Sequence, residues 1–284
     1  MIGRRRRAGW VALLVATAAL AYGHRLHGAQ RARNTLQSKL DGVVQLAAVD
    51  ATPCAALAAT KPLVLLVLGQ SNAANHGEAR LPAPARVPVF SAGRCAMATD
   101  PLPGGTGRGG SIWSALPQAL AEAGTAAPSV VLSLLAVDST MIVDWTDPDS
   151  PIYRRLVEHV ADMSRNGLPP TLVLWQQGES DARLKTPGDR YAAQLGQLRQ
   201  TLYLAGSSAP LLLALSTVCR SVADDDLRQA IAVLADRRNG FRLGADTDTL
   251  AGPDQRLDGC HLSSSGQVAA ARLWADRILA ALKG

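Results

Sequence analysis

Residues 63–72 read Leu63-Val64-Leu65-Leu66-Val67-Leu68-Gly69-Gln70-Ser71-Asn72. Six consecutive apolar residues without polar alternation are typical of a strand that is buried on both faces of a parallel sheet. Gly69 allows the chain to turn sharply off this strand, so Ser71 is expected just beyond the strand's carboxyl end. The stretch therefore predicts an α/β domain that presents a serine at one edge of its sheet.

Similar short apolar runs recur at residues 129–136, 171–175 and 211–216, and weaker ones lie near residues 87–90 and 241–244. Stretches with helical periodicity separate them, at residues 111–123, 152–164, 187–205, 222–238 and 265–282. Strand and helix thus alternate about five times, which is typical of a three-layer α/β domain. We expect a mainly parallel, five-stranded sheet.

The charge distribution argues against a nucleic-acid partner. The chain of 284 residues has a net charge of +6, but its first 33 residues contain seven arginines and no acid. The rest of the chain keeps 22 of the 29 basic residues against 23 acidic ones. Because this part is nearly neutral, we expect no broad basic face for nucleic acid.

The amino terminus reads as a targeting segment. Four arginines, Arg4 to Arg7, precede an apolar run over residues 8–21 that ends in Ala19-Leu20-Ala21, a small-x-small cleavage pattern. Residues 1–23 are therefore interpreted as a cleaved signal peptide, with an uncleaved membrane anchor and a buried helix as alternatives. The first two place the protein in the periplasm or on the outer side of the membrane. Residues 24–60 are predicted to be a linker, and residues 61–284 form the domain.

Four cysteines, Cys54, Cys95, Cys219 and Cys260, are present. An even number in an exported chain permits two disulfides, and their spacing matches no zinc pattern. If Cys219 and Cys260 lie at the same edge of the sheet, a bridge between them would tether the segment around Cys260. Cys54 and Cys95 would then form the second pair. Four free, buried thiols are the alternative.

Asp258 and His261 are the partners that Ser71 would need as a nucleophile. A serine hydroxyl becomes reactive when a histidine takes its proton and a carboxylate orients that histidine. Asp258 and His261 lie three residues apart, in Asp258-Gly259-Cys260-His261, just before the last helical stretch. His159 is expected on a helix surface. His76 lies so close to Ser71 in sequence that we interpret it as a false candidate for the base. The pattern favours serine esterase chemistry.

Three further segments supply candidate donors and substrate contacts. Gln177, in Trp175-Gln176-Gln177-Gly178-Glu179-Ser180-Asp181, follows a strand, and its amide is a candidate oxyanion donor. Glu179 is expected to hold a neighbouring loop or to bind a substrate hydroxyl. Gly110 lies in the glycine-rich loop of residues 101–110, whose backbone N–H groups could complete the oxyanion hole with that of Ser71. Trp145 is predicted to be exposed and to stack on a sugar ring.

These blocks, in this order, resemble the SGNH hydrolase superfamily, and more narrowly its sialate O-acetylesterase and acetylxylan-esterase branch. The resemblance covers about residues 61–284. It implies a flavodoxin-like sheet, no metal or other cofactor, a triad of Ser71, Asp258 and His261, and oxyanion donors at Gly110 and Gln177. One departure is Val137-Asp138-Ser139-Thr140, which stands where many relatives carry a Gly-Gly pair.

The expected function is removal of O-acetyl groups from carbohydrate through an acyl-enzyme intermediate, with an acetylated carbohydrate as the partner. An envelope polysaccharide O-acetyltransferase would use the same triad, since only the acceptor differs. A non-catalytic glycan-binding module on the same scaffold is the third hypothesis.

Overall fold

A computed structural model describes residues 27–47, 51–80, 86–124, 129–220, 222–235 and 239–283. The predicted leader, residues 1–23, lies outside these ranges. Among the described residues, no helix combines the length and the apolar character needed to cross a membrane.

A single mixed sheet runs through the centre of the fold. Its strands, in chain order, are β1 (Ala51–Thr52), β2 (Leu63–Gly69), β3 (Val87–Ser91), β4 (Arg94–Ala98), β5 (Val130–Ala136), β6 (Leu172–Gln176), β7 (Leu211–Leu215) and β8 (Phe241–Asp246). Their spatial order is β1-β4-β3-β5-β2-β6-β7-β8. The pairs β3–β5, β5–β2, β2–β6, β6–β7 and β7–β8 are parallel. The mainly parallel three-layer fold is therefore confirmed.

The sheet is larger than the predicted five strands. The strand β4 runs antiparallel to β3, and β1 adds antiparallel to β4 at the edge. A tight turn at Ala92 and Gly93, both with positive φ, joins β3 to β4. Asn-Gly and Asp-Gly pairs are typical of such hairpin turns. The Ala-Gly pair found here is less typical, so the sequence did not predict the hairpin.

Helices cover both faces of the sheet. They are α1 (residues 27–41), α2 (Cys54–Ala59), α3 (Ile112–Glu122), α4 (Ile142–Thr146), α5 (Pro151–Arg165), α6 (Glu179–Leu184), α7 (Gly188–Leu204), α8 (Asp225–Leu234) and α9 (Ser264–Lys283). Leu65 and Val67 of β2 share one apolar cluster with α3 and α9. Leu66 and Leu68 share the other with α5, α7 and α8. The central strand is thus buried on both faces, as its uniform apolar sequence predicts.

The segment predicted as a linker is part of the folded unit. Leu40 of α1 is 4% exposed and joins the core. Val44 exchanges backbone hydrogen bonds of 2.9 Å with Gly104 and Gly105, and Cys54 forms a disulfide with Cys95 of β4. The linker prediction is therefore wrong for the described part of residues 24–60. Its weak apolar periodicity gave no indication of how much long-range contact it makes.

Candidate active site

The carboxyl end of β2 leads directly into the turn that carries Ser71. Gly69 has φ +146°, and a Cβ at this position would lie 2.0 Å from the carbonyl oxygen of Gln176. Only glycine therefore allows the chain to leave the strand this close to β6. Ser71 begins a 3₁₀ turn, Ser71–Ala73. Within the described part of the chain, its hydroxyl has no hydrogen-bond partner.

The segment of residues 258–261, called here the histidine loop, holds its carboxylate and imidazole together. Asp258 Oδ1 accepts hydrogen bonds from the backbone N–H groups of Cys260 (2.9 Å) and His261 (2.7 Å). Asp258 Oδ2 lies 2.9 Å from His261 Nδ1. Partial burial alone would raise the pKa of Asp258, but the hydrogen bonds from His261 and Cys260 lower it to about 2. The ionised carboxylate therefore fixes the proton of His261 on Nδ1.

Ser71 and His261 line the same cleft, beyond the carboxyl ends of the parallel strands. Gln70, Glu179, Arg183 and Arg220 also line it. Ser71 Oγ and His261 Nε2, both within the described ranges, share no hydrogen bond in this structure. Looser contacts between nucleophile and base are common before substrate binds.

A buried polar network links the serine turn to the histidine loop. Asn72 Nδ2 donates to Glu179 Oε1 (2.7 Å) and to the carbonyl oxygen of Cys260 (3.2 Å). The same carbonyl accepts a 2.5 Å hydrogen bond from buried Arg256. Burial raises the pKa of Glu179, whose Oε1 also accepts from Ser216 at 3.0 Å. Of the two roles predicted for Glu179, holding a neighbouring loop matches these contacts.

A disulfide adds a covalent link at this edge of the sheet. Cys219, which follows β7, is bonded to Cys260 of the histidine loop, and Cys54 is bonded to Cys95. The backbone N–H of Arg220 also donates to the carbonyl oxygen of Gly259 at 2.8 Å. The predicted pairing is confirmed, and the alternative of four free thiols is wrong.

Gln177 does not offer its amide to the cleft, contrary to the prediction. Its side chain is fully buried, and Nε2 donates to Asp181 Oδ2 at 2.6 Å and to the Thr140 carbonyl at 3.0 Å. Gln177 Oε1 accepts from the Tyr191 hydroxyl at 2.7 Å. With both ends of the amide engaged inside the protein, Gln177 is a structural residue in this conformation.

Gly110 and Trp145 are also placed away from the cleft. The N–H and carbonyl of Gly110 pair with those of Gly77 at 3.1 and 3.0 Å, so its N–H is not free for an oxyanion. Trp145 is 0% exposed and packs edge-on against Trp175, with ring centroids 5.4 Å apart. The prediction of an exposed stacking face is wrong, because the Trp145 indole is buried in the apolar layer under α4.

Gln70 is a cleft residue that the sequence analysis missed. Its Oε1 accepts hydrogen bonds from the Ser180 N–H (3.1 Å) and from Gln177 Nε2 (3.3 Å). Gln70 Nε2 has no partner among the described residues and is the free end of a side chain that lines the cleft. Its position between Gly69 and Ser71, in the turn that leads to the cleft, could have indicated this placement from the sequence. Within the described ranges, no group of three or more His, Cys, Asp or Glu side chains is arranged to hold a metal ion.

Comparisons with known proteins agree with this architecture. A protein from Arabidopsis thaliana is 22% identical with a TM-score of 0.59, over 77% of this chain and 98% of its own. The carbohydrate acetylesterase Est24 from Sinorhizobium meliloti is 14% identical with a TM-score of 0.50, over 77% and 99%. A carbohydrate esterase family 3 protein from Talaromyces cellulolyticus is 13% identical with a TM-score of 0.51, over 78% and 98%. At these identities the likeness establishes the fold.

A search of curated protein sequences gives no match. Residues 61–280 match the sequence profile of the family described as carbohydrate esterase, sialic acid-specific acetylesterase. This match spans most of the chain, from β2 to α9, and includes the serine turn, residues 175–181 and the histidine loop. The chain therefore belongs to this SGNH-type carbohydrate esterase family and is a carboxylic ester hydrolase.

Proposed function

We propose that the protein removes O-acetyl groups from carbohydrate with Ser71 as nucleophile, His261 as general base and Asp258 as the residue that orients His261. The observation that carries the proposal is the cleft that Ser71 and His261 line together, with Asp258 bonded to Nδ1 of the histidine. This bond leaves Nε2 of His261 as the basic nitrogen on the opposite side of the ring.

The reaction proceeds in two halves. Ser71 Oγ attacks the acetyl carbonyl while His261 Nε2 takes the hydroxyl proton, and the tetrahedral intermediate carries a negative oxygen. The intermediate collapses to an acetyl-serine, and His261 gives the proton to the departing sugar oxygen, which leaves as a hydroxyl. Water then attacks the acetyl-serine and gives a proton to His261, which passes it to Ser71 Oγ as the second tetrahedral intermediate collapses and acetate leaves.

The oxyanion requires donors other than Gln177 and Gly110, whose polar groups are already paired. The backbone N–H of Ser71 starts the 3₁₀ turn and has no partner in the described structure. Gln70 Nε2 is the free end of a side chain whose other end is held by Ser180 and Gln177. These two groups supply the donors, because fixed dipoles stabilise developing charge without reorganising.

The leader and the disulfides support a location outside the cytoplasm, either in the periplasm or anchored to the membrane. Disulfides persist in oxidising compartments, and an arginine-rich segment followed by an apolar run directs export. A fusion of the first 60 residues to alkaline phosphatase, which is active only after export, tests this proposal. An inactive fusion that remains in the cytoplasm contradicts it.

Ser71→Ala is the central test of function. On p-nitrophenyl acetate this variant is expected to lose on the order of 10³-fold or more in kcat/KM. Ser139→Ala removes a hydroxyl from the same cleft and is the matched control, expected to remain within about 10-fold of wild type. Comparable losses in both variants contradict the assignment. Incubation with an acetyl donor and a glycan distinguishes hydrolysis, which releases acetate, from acetyl transfer.

A further inference from the structure

The helix α1 contacts the segment that carries the cleft residue Ser139, although this helix precedes the part of the chain that matches the family. The family match begins at residue 61, whereas α1 spans residues 27–41. Burial of Leu40 and the backbone pairing of Val44 with Gly104 and Gly105 fix this segment against the glycine-rich loop. Lys39 therefore has a defined position relative to the domain.

Lys39 reaches the segment that follows β5. Its Nζ donates to the carbonyl oxygen of Asp138 at 2.7 Å and lies 3.3 Å from Asp138 Oδ2. The backbone N–H of Asp138 donates to Thr106 Oγ1 at 2.9 Å. Thr106 Oγ1 in turn lies 3.2 Å from His76 Nε2. A continuous polar path thus runs from α1 to His76.

His76 stacks on the imidazole of His261. The ring centroids are 5.4 Å apart and the planes differ by 23°. A neutral His76 forms a flat wall that limits rotation of His261. A protonated His76 would instead oppose the imidazolium that His261 becomes as it takes the serine proton, because like charges at this distance repel.

We propose that Lys39 is a positioning residue: its hydrogen bond to Asp138, relayed through Thr106, holds His76 stacked on His261, and its cation offsets the Asp138 carboxylate. This inference rests on the proposed role of His261 as the base. It assigns a part in the reaction to a helix outside the family match.

Burial and two of the three charges around His76 favour its neutral form, and the Asp138 carboxylate opposes them. Burial lowers the pKa of His76, the charge of His261 lowers it further, Asp138 raises it and Lys39 lowers it. These three groups come from the histidine loop, the segment after β5 and α1, and the Thr106 hydroxyl comes from the glycine-rich loop. Removing the Lys39 cation therefore raises the pKa of His76, and removing the Asp138 carboxylate lowers it.

The direct test follows the titration of His76 by NMR in wild-type, Lys39→Met and Asp138→Asn proteins, with its signal assigned from His76→Phe. The midpoint is expected to move up in Lys39→Met and down in Asp138→Asn. Unchanged midpoints, or shifts in the same direction, overturn the proposal. This measurement needs no catalysis, so it separates failure of the inference from failure of the proposed function, which Ser71→Ala tests.

The catalytic test compares kcat/KM for an acetyl ester at about pH 5.5 and pH 8. In Lys39→Met, the kcat/KM at about pH 5.5 divided by that at about pH 8 is expected to fall about threefold or more. The reason is that His76 becomes protonated at a higher pH than in the wild type. Lys39→Arg keeps the cation and should restore the ratio. Lys185→Met removes another lysine–aspartate contact, to Asp224, and is the matched control.

A double-mutant cycle assigns the effect to His76. In a His76→Phe background, Lys39→Met is expected to leave the ratio unchanged, because phenylalanine keeps a flat ring but cannot titrate. A threefold fall that persists in this background shows that Lys39 acts without His76 and overturns the proposal.

Discussion

The two disulfides provide a matched pair for testing whether the histidine loop must be held in place. Cys54–Cys95 and Cys219–Cys260 have the same sequence separation of 41 residues. Only Cys219–Cys260 includes a residue of the histidine loop. Cys54–Cys95 joins α2 to β4, which lies next to the outermost strand β1 on the opposite side of the sheet from β7. Replacing both cysteines of one pair by serine removes one link at a time.

The equal separation fixes the expected effect on stability. In the chain-entropy treatment, closing a loop of this length stabilises the folded state by about 4 kcal/mol. Both double variants are therefore expected to lose similar stability in urea unfolding. Their activities should differ, because a displacement of about 1 Å in a catalytic group costs on the order of 10²-fold. We expect kcat/KM on p-nitrophenyl acetate to fall at least tenfold without Cys219–Cys260.

The control variant without Cys54–Cys95 should remain within about twofold of wild-type kcat/KM under conditions in which both variants are folded. Circular dichroism at the assay temperature checks that condition. Equal activity of the two folded variants would refute the argument, because the tether would then stabilise the fold without positioning the imidazole.

Two further predictions concern buried polar groups. Asn72→Ala should lower the free energy of unfolding by about 3 kcal/mol and lower kcat at least tenfold. Ser216→Ala removes only a donor to Glu179, so it should lower the free energy of unfolding by about 1–2 kcal/mol and leave kcat within about twofold of wild type. Equal kcat losses contradict a bridge to the histidine loop. Burial lowers the pKa of His159 to about 4. The folded state is therefore expected to lose about 3 kcal/mol of stability as the pH falls from 6.5 toward 4, because in that range mainly the unfolded state binds the proton. Urea unfolding of His159→Gln should show a weaker pH dependence, and an unchanged one refutes this.

His159 also illustrates a limit of periodicity. It was predicted on a helix surface, but it is 6% exposed and lies 2.7 Å from Ser133 Oγ of β5. The Ser133 hydroxyl donates to the carbonyl oxygen of Phe90, so it accepts the Nε2–H of His159. A histidine can occupy a buried helical position when a strand offers such a partner, and the helix's own sequence does not contain that information.

The oxyanion donors show the same limit at the site. A polar residue after a strand was correctly expected at the cleft edge for Ser71, since the strand direction alone decides it. Gln177 satisfies the same rule, yet its amide turns inward toward Asp181 and Tyr191. Those partners come from α6 and α7, so the orientation depends on helix packing.

By itself, the sequence determined the mainly parallel sheet, the position of Ser71 beyond β2, the contact between Asp258 and His261, and the family. The first three follow from local pattern: unbroken apolar runs, a glycine at a turn, and two residues three apart. The family follows from the order of three short motifs along the chain. Only the tertiary structure decided that α1 belongs to the fold, that Trp145 is buried and that His76 stacks on His261. These depend on contacts between segments far apart in the chain, where the gain from burial and pairing outweighs local preference.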